Sequence, residues 1–404
     1  MTPSPNRAFA TVDVATALVV VVVGFCAGAV YLNALWMLDE NGFSVLSRRL
    51  PYWDFSNLWG GSRMALDGHV AYLFDVETYR ATLRAMFSPL LPDQEWSYPP
   101  SVLLFGAPLA ALPILPAYLI WTFGTVFCLW LAVRPLKIGP VAELAIVLSP
   151  AVMINAIFGQ NGALTAALLL GGLLAAPRRP VLAGVMFGLL TFKPHLGLLI
   201  PFCLLASGNW RAIASAAVTT AAIVVATGAL FGFDVWTNFF VETRPLMTAI
   251  MEAPYPQPYH FNAMTVFSTA RALGFGLAGA YGLQAAMSLA AIAVAIWAWL
   301  PDDRIEHRQR AVLTVVLAMI ATPYGYTYDS IGVAIAVAFI FMTSARLPLF
   351  LLAASWFYAV AAQILNNLGY PIGILVPLWL AVWMVASILK DKRVRPVLSL
   401  PLAA

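Results

Sequence analysis

The stretch PYWDFSNLWGG (residues 51–61) sets one carboxylate, Asp54, among Tyr52, Trp53, Phe55 and Trp59. A lone acid in an aromatic frame suits general-base work on a substrate hydroxyl, or else capping of the helix that follows it. Three more polar groups interrupt apolar runs. The turn FGQNG (158–162) offers the amides of Gln160 and Asn161, or simply closes a tight turn between two glycines. FKPH (192–195) brings Lys193 and His195 together; the lysine either binds an anion or snorkels to headgroups, and the histidine is a ligand group or a satisfied structural one. TPYGYTYD (322–329) supplies Tyr328 and Asp329, the latter a helix cap or a second acid. Tyr98, before Pro99-Pro100, either touches substrate or sets the entry angle of the next helix. Arg63 pairs with a carboxylate of its own loop or with a lipid phosphate. An acid, a base at membrane depth and amides beneath aromatic loops describe a site for a charged group at a membrane boundary.

The elements that must hold these groups follow from composition. The 404 residues are 62% apolar and only 10% charged, against ~25% charged in soluble domains. Lipid must therefore be the solvent for most of the surface, giving an all-α polytopic membrane protein in one domain, 1–404. The apolar run from about Ala10 to Leu38 exceeds the ~7–15 residues of a signal-peptide core and reads as an uncleaved anchor. Cys26, Cys128 and Cys203 lie inside apolar runs without metal or disulfide spacing. The net charge of +4 resides in short loops, so no nucleic-acid partner is implied.

Basic punctuators at 134–137, 177–180, 208–211, 301–310, 344–346 and 390–395 should be cytoplasmic. The neutral turns at 158–162, 192–195, 322–329 and 366–371, with the long segments 39–100 and 232–278, should face outward. Charge alternation survives only if residues 99–114, broken by Pro108 and Pro113, form an interfacial helix and Tyr118 to Val133 the second span. About twelve spans result, both termini cytoplasmic. ETYRATLRAMF (77–87) should be an amphipathic helix, and a second is expected near the end of 232–278. Val181–Phe192 and Leu196–Ala206 are too short to cross a ~30 Å hydrocarbon layer, so Lys193 should sit below the outer surface in a protein-lined cavity.

The motifs DFSNLWGGSRMALDG, WSYPPSVLL, FGQNGALTAALLLGG, AGVMFGLLTFKPHLGLLIP and TPYGYTYD, in this order, resemble glycosyltransferase family 87. That resemblance implies a GT-C-type membrane glycosyltransferase, most often a mannosyltransferase, using a polyprenyl-phosphate-sugar donor and a glycolipid or glycan acceptor. It places the catalytic aspartate at Asp54 in the first outward loop, with Lys193 and His195 toward the donor phosphate. Where some branches carry a tryptophan and paired histidines, this chain has Tyr326, Tyr328 and Asp329, leaving His195 and His260 as the histidines for that part. Related enzymes place acidic metal ligands in the second outward turn; Gln160 and Asn161 are poor ligands for a divalent cation, so neither metal nor cofactor is expected.

The expectation is a cell-membrane hexosyltransferase, inverting, with its active site extracytoplasmic. A lipid-linked sugar transporter or flippase would use the same cavity. Transporters commonly show broken helices in both halves, whereas here the pattern occurs once. A noncatalytic envelope scaffold is the third reading, in which Asp54 and Lys193 would be dispensable.

Overall fold

The computed structural model describes residues 14–302, 305–343 and 349–394. The basic turn at 344–346, part of the 301–310 turn and the chain ends, on which the charge-based topology partly rests, lie outside the described residues. Among those described there is no strand, only two isolated bridges, Leu38 with Ser44 and Ala263 with Tyr326.

Helix α1 (Val14–Leu35) leads into a short ribbon and then α2 (Trp53–Leu66), α3 (Val76–Met86) and α4 (Leu103–Ala110). The membrane series continues with α5 (Ile114–Val133), α6 (Pro140–Val147), α7 (Pro150–Phe158), α8 (Gly162–Ala175), α9 (Pro180–Leu189), α10 (Ile200–Ala206) and α11 (Trp210–Phe231). A second long connection holds α12 (Asp234–Asn238), a π-helical turn at Phe239–Thr243, α13 (Arg244–Glu252) and α14 (Val266–Ala272). The chain closes with α15 (Leu277–Trp299), α16 (His307–Ala321), α17 (Ile331–Thr343), α18 (Leu349–Trp356), α19 (Tyr358–Asn367) and α20 (Leu375–Val394).

Five segments are long and apolar enough to cross a membrane unaided: Ala15–Leu35, Ile114–Leu136, Pro140–Phe158, Trp210–Phe231 and Leu277–Trp299. This is fewer than the dozen spans expected, and the reason lies in burial. α16 is buried at every position from Ala311 to Ala321, and α17 from Ile331 to Ile340. Such helices meet protein on all sides, so nothing requires them to match the lipid thickness. At 1.5 Å per residue, α8, α16 and α17 are only about 20 Å long. The turns at or beside the ends of these short helices are buried, with Gln160, Asn161, Lys193 and Asp329 at most 9% exposed, and this buried polar end is termed the recess below.

The segment expected to be an interfacial helix, 99–114, contains the short helix α4, which packs on α2. Its partner α5 begins at Ile114, earlier than the expected Tyr118, because Pro113 already provides the extended residue before the first turn. The amphipathic helix expected at 77–87 is α3, started by Asp75, whose side chain accepts from the Thr78 amide at 2.8 Å. The second short helix is α14. α9 and α10 stop on either side of Lys193, joined by two 3₁₀ turns, Leu190–Phe192 and Pro194–Gly197.

Candidate functional site

Asp54 lies in the first turn of α2, yet it is not the cap. The residue before the helix is Tyr52, and no side chain caps this end. Instead the Gln160 side chain lies near enough to the Asp54 carboxylate to favour its ionised form. Two close approaches make that contact possible. Gly159 has φ +67°, and a Cβ there would stand 2.5 Å from Cβ of fully buried Phe55. At Gly162, the first residue of α8, a Cβ would fall 2.0 Å from the Tyr328 carbonyl oxygen. The two glycines thus press the 158–162 turn against α2 on one side and the 322–329 segment on the other. Trp121 Nε1 donates to the Gly159 carbonyl at 3.1 Å, and the Asn155 side-chain oxygen accepts from the Ala163 amide at 3.3 Å. Asn155 was not singled out from sequence, though a lone amide within the apolar run VMINAIF was the available signal.

Lys193 neither snorkels nor stands free. Its Nζ donates to Asn161 Oδ1 at 2.9 Å and to Asp329 Oδ1 at 2.5 Å, and lies 4.9 Å from the Tyr328 ring centre. The Asp329 side chain is fully covered and that of Lys193 is 11% exposed. The other Asp329 oxygen accepts from the Tyr326 amide at 3.2 Å, so the carboxylate that pairs with Lys193 also caps its own 3₁₀ turn. Gln160, Asn161, Lys193 and Asp329 are therefore linked by hydrogen bonds, with Asp54 beside them under the influence of Gln160 and Lys193. Tyr98 and Tyr328 sit within reach of the charges of both carboxylates. Tyr98 is held there because α2 is tied to the strand of chain before it: Gln94 Nε2 donates to the Trp53 carbonyl at 2.8 Å and Asn57 Nδ2 to that of Glu95 at 2.9 Å.

Asp54 is half-buried beside this cluster. Burial pushes its pKa from 3.8 up to about 6, against the Gln160 side chain and the charges of Arg49 and Lys193, which pull it down. At neutral pH it remains ionised and is a stronger base than an ordinary aspartate. Burial and the two nearby carboxylates likewise raise Tyr98, which keeps its proton.

Other expected residues stand apart. Arg63 lies on the opposite face of α2, paired with Asp67 at 2.9 Å and reaching the Ala110 carbonyl at 3.5 Å, where it caps α4. Of its two sequence readings, pairing within the loop is the one observed. His260 is built into its own turn, accepting the Gln257 amide at Nδ1 (3.0 Å) and stacking on Tyr255. It lines a cleft with Tyr324 and Tyr326, one layer away from Lys193. His195 is 5.8 Å from the Tyr324 ring, and its Nε2 is buried without a partner. A cavity of about 390 Å³ opens between the two long connections, lined among others by Phe74, Glu95, Trp96, Glu242 and Leu246. Trp96, in its wall, packs edge-on against Tyr98, ring centres 5.3 Å apart. Among the described residues no cluster of His, Cys, Asp or Glu is placed to hold a metal ion.

Fold and site together define a helical membrane protein with a buried, acid-bearing polar cluster. The chain belongs to glycosyltransferase family 87, whose model matches residues 96–323. It is thus a membrane glycosyltransferase. The match includes Gln160, Asn161 and Lys193 and ends short of Asp54 on one side and Asp329 on the other. No curated protein and no solved structure matches the chain.

Proposed function

We propose that this protein transfers a hexose, with mannose favoured, from a polyprenyl-phosphate-linked donor to an extracytoplasmic glycolipid or glycan. The observation that carries the reading is the gathering of Asp54, Gln160, Asn161, Lys193 and Asp329 from four distant segments into one polar cluster. It joins a raised-pKa base to a cation inside a recess bounded by short helices. In this reading the chain crosses the cell membrane about twelve times in a GT-C arrangement, termini cytoplasmic and recess outward.

The donor's phosphate is a good leaving group, so no general acid is required. Asp54 removes the proton of the acceptor hydroxyl as its oxygen attacks the anomeric carbon from the face opposite the phosphate. The glycosidic C–O bond to phosphate breaks, and the electron pair leaves with the polyprenyl phosphate. A single displacement inverts the anomeric carbon. The Gln160 amide holds the carboxylate in its attacking orientation. Lys193, with His195 beside it, stabilises charge developing on the leaving phosphate, an electrostatic contribution that grows in a water-poor site. Asn161 and Asp329 keep the lysine in place, while Tyr98 and Tyr328 present ring faces and hydroxyls to the sugar. The cavity beside Trp96 gives the acceptor an approach to Asp54.

The direct test is transfer of radiolabelled mannose from polyprenyl-phosphate-mannose by the purified protein. Wild type should yield labelled product and Asp54→Asn should not; equal transfer by both removes Asp54 from the mechanism.

A further inference from the structure

The charges in the recess leave one requirement unmet. Lys193 is matched by a fully covered anion, Asp329, and two of its three N–H bonds are already used. Counting Asp54, the inner recess holds two carboxylates and one ammonium. An incoming phosphate diester adds another negative charge, and the product phosphate carries more. Without a further cation that accumulation is unfavourable in a low-dielectric site.

Arg49 is placed to supply it. Its guanidinium lies 5.0 Å from the Trp53 ring centre, beside Asp54 in sequence, and makes no side-chain hydrogen bond or ion pair among the described residues. Its charge acts on Asp54 more strongly than that of Lys193. The other arginine of this loop that sequence favoured, Arg63, is occupied by Asp67 on the far face of α2.

The backbone around Arg49 fits a position at the lipid surface. α1 ends at Leu35, and the next residues fold back as a small ribbon. In it the Val45 amide donates to the Met37 carbonyl at 2.9 Å and the Ser44 amide to the Arg49 carbonyl at 2.8 Å. Met37, Leu38, Val45 and Leu46 project from this ribbon 45–61% exposed. Apolar side chains so exposed, directly beyond a membrane helix, belong in the leaflet boundary rather than in water. The ribbon therefore holds Arg49 at headgroup depth, at the mouth of the recess.

We propose that Arg49, over the Trp53 ring, is the docking group for the phosphate of the lipid-linked donor, and that the Lys193–Asp329 pair acts deeper in the recess. The planar guanidinium can hold two phosphate oxygens at once, which an ammonium cannot. The identity of the ligand as a sugar donor rests on the proposed glycosyl transfer, whereas the isoprenoid-phosphate site itself does not.

The experiment measures binding of farnesyl phosphate to the purified full-length protein, with phosphatidylglycerol as a second probe. Arg49→Gln should weaken farnesyl phosphate by about 10- to 100-fold, and Arg49→Lys should recover only part of the loss. Arg48→Gln, in the neighbouring exposed position, should bind like wild type. All three should elute and melt like the parent, since both arginines are exposed. In transfer assays, Arg49→Gln should raise donor KM by the same factor with kcat nearly retained. Unchanged farnesyl phosphate binding in Arg49→Gln overturns the assignment. So does an equal loss in Arg48→Gln, which indicates diffuse surface charge, or a parallel loss of phosphatidylglycerol, which indicates a general lipid anchor. If Arg49-dependent binding holds while wild type transfers no sugar, the glycosyl-transfer reading fails and the isoprenoid-phosphate site stands.

Discussion

The two ends of the helical bundle use their polar residues in opposite ways. At the end rich in arginine, side chains finish helices. Asn209 Nδ2 donates to the Ala176 carbonyl at 2.7 Å, Arg308 to that of Leu136 at 2.6 Å, and the His307 ring meets the Leu173 carbonyl at 2.9 Å. Helix termini leave carbonyls without partners, and cations near a C-terminus also complement the dipole. At the other end, side chains are bonded chiefly to one another. Asp54 meets Gln160, Lys193 meets Asp329 and Asn161, and His195 Nε2 has no partner at all. One end is electrostatically complete. The other stores burial cost in a raised carboxylate and an enclosed ion pair, and that cost is what a substrate can exploit.

The sharpest break in this contrast is Asp54→Asn. Loss of a general base should lower kcat by ~10²–10⁴-fold in the radiolabel assay. Stability should not fall with it. The unfolded carboxylate ionises near 3.8 and the folded one near 6, so above pH 6 the ionised group opposes folding by at most roughly 3 kcal/mol. The asparagine variant should melt at or above the wild-type temperature at pH 7.5; a clear decrease would mean that Asp54 is a structural group.

Next in size is the ion pair. Lys193→Met leaves Asp329 buried and unmatched, which should cost about 3–5 kcal/mol in thermal or denaturant unfolding. Adding Asp329→Asn removes the stranded charge while keeping an acceptor for the Tyr326 amide, and should restore most of the stability. Activity should stay lost in the double variant. If stability is restored and activity returns with it, Lys193 serves only the fold.

The pH dependence sharpens the same comparison. Since Asp54 must be ionised to act, kcat/KM should fall about tenfold per pH unit on the acid side of a midpoint near 6. A limb near pH 4 would show a solvated carboxylate. The smallest effect is expected at the opposite end. Asn209→Ala removes the bond to Ala176 and the cap to the Ala212 amide (3.2 Å). It should cost about 1–2 kcal/mol of stability and leave kcat unchanged.

What could be read in advance follows how local the signal was. The break between α9 and α10 shows in the short apolar runs around Lys193, and the shortness of α4 in Pro108 and Pro113. Asp54 stands out because charge is scarce. The partners of these groups do not show. Lys193 and Asp329 are 136 residues apart, and the sequence left Asp329 undecided between cap and acid. Arg63 was given a site role and is committed to Asp67, while Arg49, a few positions before Asp54, was given none, and it lies over the Trp53 ring without an ion pair among the described residues. The expected dozen spans counted apolar runs alike, without distinguishing helices that meet lipid from those that meet only protein.

Composition and run lengths by themselves determined that lipid is the solvent, that the chain is helical and that its few charges fall at chain reversals. Those properties depend on transfer of each segment from water and on hydrogen bonding within it. Which reversals share a recess, which acid takes the lysine and which face of α2 looks inward were decided only in three dimensions. Close backbone approaches at Gly159 and Gly162 fix those choices, and they depend on segments that meet only after the bundle has packed.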